Sequence, residues 1–247
     1  MKPNHFKTAF IIAMVSVSAV LFCLQYFTFR DSRDTFFYLM QDLAFLPMQV
    51  LLVSLVLERF MQIMEKRERL EKQNMVIGLF FSEVGVGLLK FFSAADRNID
   101  SIRKSLVITG AWSDKDFSNL AQRLSSYETG VAAEKIDFVA LKHRFASQRG
   151  FLLSLMENQN LLEHERFTDL LWAVFHLVEE LLYRDDFASL PLSDLNHLAG
   201  DAKRAYQLLI VQWVQYLRHL KDAYPYLYSL ALRTNPFDLN AKVHLSA

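Results

Sequence analysis

With a single cysteine, Cys23, the chain can form neither an intrachain disulfide nor a thiolate zinc cluster, and this usage fits a reducing compartment. Seven glycines and five prolines are too few for an all-β protein, which needs turn residues every ~8–12 positions. Basic and acidic residues balance at 27 each, so no net field draws in nucleic acid and no nucleic-acid partner is expected. The motifs of known chemistries are missing too. There is no Gly-x-Ser-x-Gly elbow, no phosphate-binding Gly-Lys-Ser/Thr loop, no Cys–His nucleophile pair and no His-Glu-x-x-His. Gly85-Val86-Gly87 lacks the third glycine and the preceding strand of a nucleotide fingerprint. Neither enzymatic activity nor a cofactor is expected.

What the chain does have is apolar surface: 52 % of its residues are hydrophobic and 21 are Phe. Thr8 to Phe29 holds no charged residue, and a helix of that length spans roughly 33 Å, enough for a bilayer core. Val17-Ser18-Ala19 mimics a signal cleavage site, but the apolar run continues well past it, which argues for a span and against a removed leader. A second run, Phe36 to Leu57, is equally long, and only Arg30 to Thr35 connects the two. The reading is a helical hairpin with both ends on one side. Lys2, Lys7, Arg59, Lys66, Arg67, Arg69 and Lys72 flank its open end, against Arg30 and Arg33 in the loop. The positive-inside rule then places both termini in the cytoplasm.

The second span carries polar groups where lipid would penalise them. At 100° per residue Tyr38, Asp42 and Gln49 fall within about 40° of one another, with Gln41 to one side. An ionised carboxylate facing lipid costs several kcal/mol, so this stripe is expected to avoid lipid. Three roles fit Asp42: a hydrogen-bonded packing residue reaching Arg30, Arg33 or Gln25, a contact that specifies assembly between hairpins, or the lining of an ion path. Pro47 adds a kink beside the stripe.

Glu58 to Asn74 is dense in helix formers and carries Glu65–Arg69 and Glu68–Lys72 in the favourable i, i+4 order, which predicts that the second span continues as helix. Ile77, Phe80, Phe81, Val84, Leu88, Phe91 and Phe92 follow amphipathic spacing. With Glu83, Lys90 and three glycines among them, this is read as a core or membrane-surface helix and not as a third span. Beyond Ser93 the pattern is helical throughout. Ser113 and Asp114 cap a helix to about Glu128, Glu134 to about Gln159 reads as helix, Leu161 to Tyr183 follows, and Asp194 to about Ala223 and Tyr226 to Arg233 complete the chain. Arg97, Arg103 and Lys104 read as a solvated basic face, and Tyr224, Tyr226 and Tyr228 as packing.

One set of residues raises the question of a metal: Asp169, His176, Glu179, Glu180, His197, Asp201 and Arg204 supply the ligand types of bundle-borne centres. Helical period sets His176 about 160° from the stripe at Val174 and Val178, and puts His197 and Arg204 opposite Ala202 and Trp213. The set is therefore expected to face away from the core as a solvated or partner-facing surface, and no metal is expected.

The expectation is an all-α protein: a two-span transmembrane hairpin over 1–62 (spans about 8–29 and 36–57), a helical linker and amphipathic helix over 63–96, and a cytoplasmic antiparallel helical bundle over 97–247. Its function is read as that of a non-enzymatic integral membrane protein, placed in a bacterial inner membrane, that forms homo-oligomers and presents the bundle to a cytoplasmic protein partner or signal. The alternative is a small oligomeric ion channel or transporter-like protein with span two lining the path.

Overall fold

The computed structural model describes residues 5–29, 32–162 and 164–244. Lys2 and Arg30, which enter the orientation count, lie outside them. All regular structure among the described residues is helical, apart from one isolated antiparallel bridge between Asp96 and Val131. The chain divides into two compact units, Met1–Lys66 and Arg67–Ala247.

The first unit contains helix α1 (His5–Phe29) and most of the N-terminal part of helix α2 (Ser32–Phe80). The expected six-residue connection is shorter, because Ser32 to Thr35 already belong to α2. Pro47 lies inside α2. Every side chain from Phe36 to Leu57 is exposed. The hydroxyls of Ser16 and Thr28 donate to the carbonyls of Ile12 and Leu24, one turn back, at 2.8 and 2.7 Å. By length and composition, Phe36–Ala95 is the one helix among the described residues long and apolar enough to cross a membrane. The apolar stretch Ile12–Thr28 is shorter.

In the second unit the last turns of α2 lead into a π-helical turn, Phe81–Gly85, where the Val86 N–H donates to the Phe81 carbonyl. Gly85 is required there: a Cβ would stand 2.5 Å from the Phe81 ring. Among the described residues nine α-helices follow: α3 (Val86–Ala95), α4 (Asp100–Leu106), α5 (Asp114–Ser125), α6 (Phe138–Phe145), α7 (Arg149–Met156), α8 (Gln159–Leu162), α9 (Glu165–Leu182), α10 (Leu192–Ala223) and α11 (Pro225–Arg233). Local chemistry sets their ends. The Ser113 hydroxyl accepts from the Asp116 N–H while the Asp116 carboxylate accepts from the Ser113 N–H, a capping box for α5. Asp137 caps α6 through the Ala140 N–H, and Pro225 opens α11.

The helix expected over 134–159, with Gly150 as its one candidate interruption, is instead a 3-10 turn, α6, a second 3-10 turn, α7 and α8. Asp137 competes for backbone N–H groups at its start, and the chain must bend to keep Phe138, Leu141, Phe145, Leu152 and Leu155 buried.

Helix α10 is the axis of the bundle and packs against α9, α3, α5 and α11. The core around it is aromatic, which is where many of the phenylalanines go. Phe80 meets Phe167 edge-on, Phe81 stacks on Tyr216 with ring centroids 5.3 Å apart, and Phe92 contacts Tyr206. Trp213 and Tyr206 are the largest fully buried side chains. Far along the chain, Asn235 donates to the Leu106 carbonyl and Tyr228 to the Thr109 carbonyl, fastening the C-terminal segment to α4 and its following loop.

Candidate functional site

The polar stripe of the second apolar run lies on one helix, α2. Tyr38, Gln41, Asp42 and Gln49 are all exposed, as are the apolar residues between them. The stripe therefore keeps its helical spacing but is not covered by another segment of the described chain.

The densest group of chemically capable side chains is on α9 and α10. These neighbouring helices are joined by a short connection, and their side-chain pairs 176–201, 180–197 and 184–194 run in opposite directions along the two helices, as antiparallel packing requires. His176 Nε2 and His197 Nε2 each stand 3.4 Å from Asp201 Oδ2. Glu180 approaches the same two nitrogens, 4.0 Å from His176 Nε2 and 3.9 Å from His197 Nε2. Arg184 grips Asp194 with two hydrogen bonds of 2.7 and 2.8 Å and Glu180 with one of 2.6 Å. These hydrogen bonds, to Asp194 foremost, hold the Arg184 guanidinium above its usual pKa, and the Asp194 carboxyl is lowered in turn. Arg204 approaches the other Asp201 oxygen at 3.7 Å.

Of the seven residues in the sequence set, the structure thus brings together His176, Glu180, His197, Asp201 and Arg204. Glu179 instead faces Arg149, which donates to it. Both imidazoles are about half exposed, as the helical period implies. Asp201 departs from that expectation, with a side chain only 4 % exposed. The reason is its place on α10: Asp201 stands one turn from the fully buried Leu198 and Ala205, at the edge of the core stripe and not opposite it. His176, His197 and Asp201 place one ligand atom each within 4.8 Å of one another.

A second polar cluster is structural. Asp96, 3 % exposed, ends α3 and accepts from the Tyr127 hydroxyl, from the Gly130 N–H at 2.7 Å and from the Asn98 N–H at 2.9 Å. Burial first, and then the Asp96 bond, push the Tyr127 hydroxyl far above the ordinary phenol range. Gly130 is needed for this approach, because a Cβ would lie 2.9 Å from the Asn98 amide. Nothing in the residue pattern signals this network beyond a lone Asp. An open, almost wholly apolar groove of about 610 Å³ also borders the end of α2, between Met75, Leu79, Tyr216, His219, Tyr224 and Leu227.

Residues 69–233 match the C-terminal helical domain of Uncharacterized protein MJ1433, and residues 2–61 match the N-terminal helical domain of the same protein. This chain belongs to the MJ1433 family. Uncharacterized protein MJ1433 of Methanocaldococcus jannaschii is 45 % identical over 238 residues, which cover 96 % of each chain. The two family domains meet between 61 and 69, where the compact units also divide. No solved structure matches the chain.

Proposed function

We propose that this family member is a non-enzymatic integral membrane protein. Two apolar helices anchor it, both termini lie in the cytoplasm, and the anchored chains associate to present the helical bundle to a cytoplasmic protein partner or signal. The observation that carries this reading is the uninterrupted exposure of Phe36 to Leu57. Proteins in water rarely leave contiguous apolar surface of more than a few hundred Å² uncovered, and lipid is the medium in which such a helix is at ease. The hydroxyls of Ser16 and Thr28, turned back onto their own helix, satisfy themselves without water and support the same reading for α1.

Alkaline washing of membranes from expressing cells tests the anchor: the full chain stays in the membrane pellet, and its release into the wash refutes the reading. Protease added to inside-out vesicles removes a C-terminal tag, whereas right-side-out vesicles protect it. Asp42 favours a second reading, since it is a carboxylate exposed within the apolar run. In that reading α2 lines an ion path. Flux through reconstituted vesicles that Asp42→Asn alters supports it, and the absence of flux from the wild-type chain removes it.

A further inference from the structure

We propose that His176, His197 and Asp201 bind one divalent transition-metal ion of the zinc class between α9 and α10. This site rests on the bundle alone and does not depend on the membrane reading. The first observation is the geometry. Both imidazole Nε2 atoms stand 3.4 Å from one carboxylate oxygen. A charge-assisted hydrogen bond between such groups closes to about 2.8 Å. Around a tetrahedral ion with bonds of about 2.1 Å, neighbouring ligand atoms stand about 3.4 Å apart. Each histidine-to-carboxylate separation is that of ligands that share an ion and not of partners that share a proton, and all three ligand atoms lie within 4.8 Å of one another.

The second observation is independent of the first. Asp201 Oδ2 is buried and accepts no hydrogen bond, and an unpartnered buried carboxylate oxygen is costly. Arg204 approaches Oδ1, which leaves Oδ2 as the oxygen facing the two imidazoles. An ion at the meeting point of the three ligands would satisfy it.

The donor set selects the metal. Two imidazoles and a carboxylate suit zinc and its neighbours, whereas calcium and magnesium take oxygen ligands. Asp201, Glu180 and Asp194 outweigh Arg184 and Arg204 by one negative charge, which favours a cation. The half-exposed imidazoles leave the site open to solvent, so the fourth position belongs to water or to Glu180, whose oxygens lie 3.9–4.0 Å from the imidazole nitrogens. The ion ties α9 to α10 across their antiparallel seam.

The test uses the full chain without an affinity tag, purified in detergent, stripped with a chelator and titrated with zinc against a chromophoric competitor. One zinc per chain is expected, with a rise in melting temperature on loading. His176→Ala and His197→Ala each weaken zinc binding by at least about tenfold, with helical circular dichroism unchanged because both side chains are half exposed. His143→Ala, at an exposed histidine outside the cluster, binds as the wild type does. Cobalt(II) in place of zinc gives the visible absorption of a four-coordinate ion, and His176→Ala abolishes it. Asp201→Asn also weakens binding; should this variant fail to fold, the two histidine variants decide. The proposal is overturned if the folded wild-type chain binds no zinc at micromolar concentrations, or if both histidine variants bind it as tightly as the wild type.

Discussion

Phe36 and Phe80 belong to the same helix, yet the first is 64 % exposed and the second fully buried. The stretches around them are comparably apolar, so hydrophobic content does not separate them. What separates them is the polar residues. From Phe36 to Leu57 these are few, Tyr38, Asp42 and Gln49 share one stripe with Gln41 to one side, and the apolar residues wrap the helix. From Asn74 to Ser93, Ser82, Glu83 and Lys90 recur at helical period and leave Phe80, Phe81, Val84, Leu88 and Phe92 to pack inward. The lesson is that an apolar helix declares its solvent by where it is polar.

The sharpest way to break this contrast is to truncate one large side chain in each region. Trp213→Ala, at the centre of the bundle, should cost about 3–5 kcal/mol in chemical denaturation of the detergent-solubilised chain. Phe45→Ala should leave the bundle transition where it is. Equal effects would mean that the apolar run of α2 is core after all. Next in size is Asp96→Ala, which strands the Tyr127 hydroxyl and the Gly130 and Asn98 N–H groups. A loss of about 3 kcal/mol is expected, and about 1 kcal/mol for Tyr127→Phe, read from the same transition. Ser113→Ala removes the cap of α5 and should cost about 1 kcal/mol.

The smallest effect is a pH dependence. Burial holds the His219 imidazole below its usual pKa of 6.5, with Asp222 and Glu71 pulling weakly the other way. As pH falls, the unfolded chain therefore takes up this proton before the folded one. The contribution of neutral His219 is complete above pH 6.5 and is lost progressively below it. The melting temperature should decline as pH falls below that point, and His219→Phe should flatten the decline.

Much of the bundle was legible in the sequence. The stripes of α9 and α10, the Ser113 cap and the break between Ala223 and Tyr226 all depend on neighbours a few residues away. The fragmentation of 134–159 was not, because its bends answer to the shape of the core and not to local propensity. Asp96 was not legible either, since its partners Tyr127 and Gly130 are more than thirty residues downstream. Asp201 illustrates the limit of a helical wheel. The set was placed by the angles of His176, His197 and Arg204, and Asp201 sits instead one turn from the buried Leu198 and Ala205. His176, His197 and Asp201 were all in the sequence set, whereas Arg184 and Asp194 beside them were not; the convergence of the three on one oxygen required the register of two helices.

The π turn at Phe81–Gly85 carries a consequence for how this chain tolerates change in length. Five residues there do the winding that four do elsewhere, so the helix face is rephased by about one residue between Phe80 and Leu88. The apolar arc over this stretch looks too broad for a single helix because two arcs, offset from each other, have been spliced. Deleting one residue from the turn would restore even winding and swing Leu88, Leu89 and Phe92 out of alignment with Ile77 and Phe80. At this point the chain cannot be shortened without losing one half of its grip on α10.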